Sequence, residues 1–532
     1  MAEKHTTNTW LKSEWILIFI LGLIKLIIHL LTNTNYELHR DEYLYLAFAD
    51  HLSWGYFSNG PAIGFFAFIL QACSNNSVFA VRLLPALIGV VTVSLVCLLV
   101  KELGGKKWAI LMAGAAIILA PAYLRVNCLF QPVSFDLLFW LLATFFIFKL
   151  LQTENPRYWL VLGLIWGLGL LNKYSIAFLA WGFFLAVLFS PKRKLLLSKY
   201  FFYHLFIGFV LILPNLIWQY NHNWPVIFHM QNLQRTQLVN VQMIDFLLAQ
   251  PLMILPAIPL WICGLIYLLV RRETRSLRVL AYTFVIVIIT LMLLHGKPYY
   301  TLGVYFILIA AGAVYIENIT AGGNILIKPA ILIFMVLIIL PGLPFSLPVL
   351  PFEKMVEYGQ HSKKLGLGQF LYWEDGRAHS LPQDYADMTG WQELAGIVIS
   401  TYRNLDATEK AECAIYGENY GQAGSVKYFG KNVGLLEPVS FSDNFLFWAP
   451  DTLSARIFIY INDDTSGISA YFGSIQEMGR ITNPYARESG LPVYLCRFPR
   501  NDFKEFYLNK VRRLKSNFHR PAAAQFFPLI SF

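Results

Sequence analysis

Charge is what this chain has least of. Only 14% of its 532 residues are Asp, Glu, Lys or Arg, against about 25% in a soluble domain. With 57% of the residues hydrophobic, this excludes an ordinary soluble protein and reads as a polytopic membrane protein. Acids are scarcer than bases, 32 against 42, for a net charge of +10. The surplus cations sit in loops between apolar runs, as cytoplasmic loops of membrane proteins do, so they call for no nucleic-acid partner. Cysteines number six and none has metal-ligand spacing. Cys413 and Cys496 fall on predicted strands, where a disulfide and two free core thiols are both open, while Cys73, Cys97, Cys128 and Cys263 read as packing residues. The first segment lacks the small-residue cleavage site of a signal peptide, so Trp15–Leu31 reads as a retained helix. No internal repeat suggests the two halves of a transporter.

A window of about 19 residues finds about eleven apolar spans. They are Trp15–Leu31, Val78–Val100, Trp108–Tyr123, Val133–Leu151, Trp159–Leu171, Ser175–Phe189, Tyr200–Trp218, Phe246–Val270, Val279–Leu294, Thr301–Ile316 and Pro329–Leu347. The run Pro61–Cys73 is too short to cross comfortably. With the N-terminus inside, alternation puts Lys101, Lys106 and Lys107 on the cytoplasmic face, with Lys192, Arg193, Lys194 and Lys199. Arg271, Arg272, Arg275 and Arg278 join them there, as the positive-inside rule requires. Composition changes near Pro341-Gly342-Leu343-Pro344, and charges become frequent beyond it. The expected organisation is a membrane domain over 1–348 and an extracytoplasmic α/β domain over 349–532. In the latter, 387–405 shows helical spacing and Cys413–Tyr416, Ile457–Ile461 and Val493–Cys496 read as strands. The basic stretch Lys504–Arg520 suits a solvated helix better than an anionic surface.

The same alternation gathers the scattered polar residues on the outer side. Asp41-Glu42 follows the first span; a carboxylate at the lipid boundary has low dielectric on one side and can serve as a base. Asp136 opens the fourth span, where an acid either marks function or caps a helix. Lys173 lies outside, against the inward bias of the other cations, and either snorkels or meets an anion. His295-Gly296-Lys297-Pro298-Tyr299-Tyr300 offers a tight turn with donors to an anion, or an aromatic belt. The loop carrying His222, Trp224, His229 and Arg235 has no simple metal pair, and Arg235 suits a phosphate. A carboxylate and several cations at one membrane face fit transfer of a sugar from a lipid-linked phosphate. The leaving phosphate gains negative charge that cations stabilise, and the acceptor hydroxyl needs one base.

These residues resemble a family: the polyprenyl-phosphate-sugar glycosyltransferases of the GT-C superfamily, family 39. The chain looks most like the bacterial relatives of protein O-mannosyltransferases and of aminoarabinose transferases. The resemblance rests on His39-Arg40-Asp41-Glu42, Trp54-Gly55-Tyr56, Asp136, Asn172-Lys173-Tyr174 and Gly296-Lys297-Pro298-Tyr299-Tyr300. Tyr416-Gly417-Glu418-Asn419-Tyr420-Gly421-Gln422-Ala423 also resembles the outer domain of some members. It implies a GT-C helical fold at the cytoplasmic membrane, with Asp41 as the catalytic carboxylate, Glu42 completing the pair and Asp136 as a second acid. Lys173, Lys297, Tyr299, His295 and Arg235 would meet the donor phosphate. The expected partners are a polyprenyl-phosphate sugar donor, membrane lipids, and a protein, lipid A or glycan acceptor. The chain departs from the family at Asn59-Gly60-Pro61-Ala62, with one proline for two and without the Glu-Lys pair of some members. That argues against the aminoarabinose specialisation and leaves a divalent metal open, with no cofactor otherwise implied. The rival readings are a lipid-linked glycan flippase and a pyrophosphate-dependent glycan ligase.

Overall fold

The structure, a computed structural model, describes residues 3–74, 77–323 and 326–516. It is mostly helical. Among the described residues seven helices are long and apolar enough to cross a membrane, or up to nine if two bent pairs each count as one span. The bends have a common cause. Ile176–Leu188 turns by 116° into Pro191–Leu197, and Met243–Met253 by 77° into Leu255–Val270; Pro191 and Pro256 stand at the breaks. A proline carries no N–H and pushes the residue before it out of helical backbone. The same rule divides the predicted span Trp108–Tyr123, where Ala120 is extended before Pro121 and the helix Lys107–Leu119 stops at 13 residues. Tyr158–Asn172 has 15 residues, so among the described residues length and apolarity support seven to nine spans and do not confirm the expected eleven. The chain is a multi-pass membrane protein.

The chain packs as two compact units. The first takes the described parts of Met1–Thr34, Phe79–Pro214 and Leu233–Val349. Its tightest crossing joins Ile258–Val270 to Tyr305–Ile319 through Gly264 and Gly312. A Cβ on Gly264 would lie 1.9 Å from the Leu308 carbonyl oxygen, and one on Gly312 would lie 1.8 Å from that of Leu260. Only residues without a side chain let membrane helices approach so closely. Elsewhere in this unit ion pairs tie helix ends together: Lys101 to Glu14 at 2.9 Å, Lys149 to Glu102 and Lys192 to Glu154. The Glu317 carboxylate accepts the backbone N–H groups of Lys106 (2.6 Å) and Ala109 (3.0 Å), capping the helix that begins there.

The second unit takes the described parts of Asn35–Val78, Asn215–Asn232 and Leu350–Phe532. This unit is therefore not a simple C-terminal stretch: 35–78 and 215–232 pack with 350–532. Its sheet has four strands in the order β1-β2-β4-β3, namely β1 Cys413–Gly417, β2 Ile457–Ile461, β3 Phe472–Arg480 and β4 Pro492–Pro499. β1 and β2 are parallel, and the other pairings are antiparallel. The parallel pair needs a crossover, which includes the helix Tyr420–Gly430. β3 was not evident in the sequence, because its Gly473 and Gly479 interrupt the alternation and its faces are largely exposed. The helix expected over 387–405 runs from Trp391 to Arg403. The basic helix is Phe503–Ser516, and the remainder of Lys504–Arg520 lies outside the described residues. Cys413 and Cys496 are free thiols, so no disulfide joins them.

The glycine crossing yields a direct expectation. Gly264→Val or Gly312→Val should sharply reduce the yield of monodisperse protein in size-exclusion chromatography, whereas Gly322→Ala, with open space around it, should behave as wild type.

Candidate active site

The acidic pair belongs to the second unit, and its two members do different work. Glu37 leads into it: its carboxylate accepts the N–H groups of Gly390 (3.3 Å), Trp391 (2.9 Å) and Gln392 (3.0 Å), at the start of Trp391–Arg403. Gly390 has φ +90, a backbone that glycine adopts freely. The backbone N–H of Arg40 then donates to the Asp387 carbonyl at 3.1 Å. A helix of eight residues, Arg40–Ala47, starts there with His39 as its N-cap. His39 Nδ1 accepts from the Asp41 N–H (3.1 Å), and Glu42 Oε2 accepts from the His39 N–H (2.8 Å). This reciprocal arrangement is a capping box with histidine in place of the usual Ser or Thr.

Glu42 is therefore buried and engaged in its own helix cap. Asp41 is the presented carboxylate, with a side chain 28% exposed. The Tyr420 hydroxyl donates to Asp41 Oδ1 at 2.8 Å, and the Arg40 guanidinium sits 4.6 Å above the Tyr420 ring. Burial, then the Asp41 charge, pushes the Tyr420 phenol well above its ordinary range. It stays protonated and keeps donating. Both Asp41 and Tyr420 also act electrostatically on the buried Tyr45.

A second carboxylate joins this group without having been expected. Asp443 lies far along the sequence, in a left-handed backbone conformation (φ 48) just before Phe445–Trp448. It accepts from Ser58 Oγ (2.9 Å) and from the Asn444 N–H (2.8 Å). Burial, with a smaller push from the Asp41 charge, raises its carboxyl to about 6 against those two hydrogen bonds.

The first unit gathers four of the other expected residues. Asp136 lies in the helix Pro132–Thr153 and is buried, and Ser175 Oγ donates to its Oδ2 at 2.6 Å. Asn172 Nδ2 donates to the Pro132 carbonyl at 3.0 Å, which ties the break after Tyr158–Asn172 to the start of that helix. Lys173, next in sequence and extended, is an electrostatic neighbour of Asp136. Its Nζ stands 5.1 Å from the Tyr299 ring centre and 5.0 Å from that of Tyr300, within cation–π range. Lys297 caps the 3₁₀ turn Pro298–Val304 that carries both tyrosines. The other two candidates stand apart. His295 is exposed, in left-handed backbone, with Nδ1 2.9 Å from the Val241 carbonyl. Arg235 is exposed in the last turn of Pro225–Thr236. Among the described residues no three His, Cys, Asp or Glu side chains form a metal-holding group.

Residues 58–218 match the family described as dolichyl-phosphate-mannose-protein mannosyltransferase. Over 272 residues, 49% of this chain, the sequence is 25% identical to the lipid A galacturonosyltransferase RgtD of Rhizobium johnstonii. The match spans 56% of that relative's length, a little over half. The fold is that of ArnT from Cupriavidus metallidurans bound to undecaprenyl phosphate, with TM-score 0.61, 13% identity, and coverage of 92% of this chain and 100% of that one. The apo state of the same protein gives TM-score 0.60 at 12% identity, over 93% of this chain. The chain is thus a membrane protein of the GT-C fold. The likeness to polyprenyl-phosphate-sugar glycosyltransferases read from its motifs is shared by the family match, the curated relative and the solved structures.

Asp443 gives a testable pH signature. Its folded value lies above the ordinary 3.8, so the folded state binds the proton more readily and the ionised carboxylate costs stability at neutral pH. Asp443→Asn should melt higher than wild type at pH 8. That advantage should shrink as pH falls through about 6 and vanish near pH 4, read by differential scanning fluorimetry of both proteins.

Proposed function

We propose that this chain is a glycosyltransferase that moves a sugar from a polyprenyl monophosphate to an acceptor hydroxyl, with Asp41 as the base. The observation that carries this reading is the contrast within the pair. Glu42 is spent on a helix cap, while Asp41 keeps a partly exposed carboxylate oriented by the Tyr420 hydroxyl. A carboxylate so held accepts the proton of an acceptor hydroxyl as the oxygen attacks the anomeric carbon. The bond to the donor phosphate breaks, and the phosphodiester leaves as a monoester with one more negative charge. Attack opposite the leaving group inverts the anomeric centre.

The developing charge on phosphate needs cations, and Lys173 supports that role. Two phenol rings hold its ammonium, and Asp136 lies nearby with Ser175. Lys297 and Tyr299 of the same turn complete the proposed donor contacts. His295 and Arg235 are left at the margin of the proposal by their separate placement. The acceptor is a protein hydroxyl, lipid A or another glycan, and the name of the curated relative favours a lipid acceptor.

The reaction is proposed for the outer face of the cytoplasmic membrane, with the N-terminus inside and 349–532 outside. The pairings Lys101–Glu14 and Lys192–Glu154 support that topology, because alternation puts Lys101 and Lys192 on the inner face and Glu14 and Glu154 border the predicted spans on that same side. The grouping of Asp136, Lys173, Ser175, Tyr299 and Tyr300, all assigned to outer ends, supports it equally.

Purified protein in nanodiscs, given a panel of polyprenyl-phosphate sugars with lipid A or a glycan acceptor, should release free polyprenyl phosphate. Asp41→Asn should lower kcat by about 10²–10⁴-fold, the usual contribution of a general base. Full turnover by that variant with a donor the wild type uses would remove Asp41 from the role. Lys173→Met should lower kcat more than it raises KM, because its interaction strengthens as charge develops. Movement of intact donor across the bilayer without release of lipid phosphate would favour the flippase reading instead.

A further inference from the structure

The helix that presents Asp41 also walls a separate cavity. The helices Arg40–Ala47 and Tyr420–Gly430 meet closely at Gly424, where a Cβ would lie 3.0 Å from that of Tyr43. Beside this contact opens a space of about 260 Å³, lined by Tyr43 and Tyr428 together with Asp50, Gln71, Lys427 and Lys431. This is near the ~300 Å³ at which small-molecule sites begin, room for a single ring. All of it lies within the second unit.

The polar groups are held in place and matched in charge. Gln71 Nε2 donates to Asp50 Oδ1 at 2.9 Å. Lys427 Nζ is 3.3 Å from Asp50 Oδ2 and also pairs with Glu437, and Lys431 Nζ is 3.4 Å from Asp50 Oδ1. His51 Nε2 lies 2.7 Å from Glu437 Oε1, with its ring stacked on Trp448 at 4.1 Å. Two ammonium groups thus face two carboxylates, which makes a poor trap for a free anion. What the set offers is a close mixture of donors and acceptors beside aromatic faces. A hydroxyl both donates and accepts, so adjacent hydroxyls on one ring can bridge a Lys–Asp pair while the ring's C–H face lies on a tyrosine.

We propose that this cavity is a saccharide-binding subsite for an uncharged sugar ring of the acceptor. That the sugar belongs to the acceptor rests on the glycosyl-transfer reading; the binding itself does not. Asp41 stands in the first turn of Arg40–Ala47, and the cavity runs from Tyr43 past Ala47, whose position along the axis is about 9 Å beyond Asp41 at 1.5 Å per residue. The subsite would grip the acceptor at a distance from its reacting hydroxyl, and so select which acceptors are used.

Saturation-transfer NMR on the detergent-solubilised full chain tests this without any donor. The probes are cellobiose, chitobiose, mannobiose and galactobiose, with glucuronic acid, glucosamine 6-phosphate and inorganic phosphate as anionic arms. At least one neutral disaccharide should show transfer, and Gln71→Ala combined with Lys431→Ala should weaken its Kd at least fivefold while leaving the melting temperature near that of wild type. Tyr428→Leu provides a second variant from the cavity's aromatic side, with the same loss expected. The proposal is overturned if no neutral sugar binds, if the variants bind as well as wild type, or if only the anionic probes bind. Sugar binding without release of polyprenyl phosphate from any donor would leave the subsite standing and sink the transferase reading; turnover with no sugar binding would do the reverse.

Discussion

The carboxylate of Glu37 accepts three consecutive backbone N–H groups, from Gly390, Trp391 and Gln392, and the arrangement of the acid helix follows from it. The first turn of a helix has N–H groups with no partner inside the helix and carries partial positive charge. A carboxylate that fills this position from 353 residues earlier in the chain couples loop closure to helix formation. Burial nevertheless pushes the Glu37 carboxyl up, outweighing the lowering by its three donors. Burying an acid this way is favourable only while every donor stays in place. Tyr36 extends the attachment on the other side, stacking on Phe352 at 4.0 Å and donating to the Leu350 carbonyl at 2.6 Å. His39 continues it with Asp387, at 3.7 Å, which is itself held by Arg487.

With its entry fixed, the helix Arg40–Ala47 separates two adjacent acids by geometry alone. Position N3 of a capped helix curls back toward the N-cap backbone, so Glu42 finds the His39 N–H. Position N2 points away, so Asp41 meets Tyr420 instead. Adjacent residues on a helix differ by about 100° in direction, which is why two carboxylates one residue apart do not share a function here. The pair looked like a unit in sequence; the helical turn divides it.

How far the sequence could be read follows from the range of each interaction. Asp136 and Lys173 stand out in the sequence because a charge in an apolar run is conspicuous wherever it falls. Helix ends were less legible: Pro121, Pro191 and Pro256 break apolar runs that composition alone joins. β3 escaped because an exposed edge strand needs little apolar patterning. Tyr420 lay inside a recognised segment, but its role depends on a hydrogen bond spanning 379 residues. Asp443 gave no signal at all, since Ser442-Asp443-Asn444 reads as an ordinary turn, and its interest comes only from what surrounds it.

That surrounding also explains why Asp443 is held so firmly. A non-glycine residue with φ 48 costs energy that must be offset locally. The Asn444 side chain supplies part of the offset by accepting from the Phe57 N–H at 2.5 Å, and Ser58 binds Asp443 itself. Two neighbours in the turn are thereby clamped to two neighbours in the loop 57–58. A buried acid kept in strained backbone near a second carboxylate is an expensive arrangement if its only purpose is to close a loop. An apolar or amide residue would close it without the charge. A carboxyl kept prone to protonation by burial beside the Asp41 charge is the one property that such a substitute would not reproduce. The proton affinity of Asp443 thus depends on residues from both ends of the chain, and the loop that carries Trp54-Gly55-Tyr56 is bound to it through Ser58.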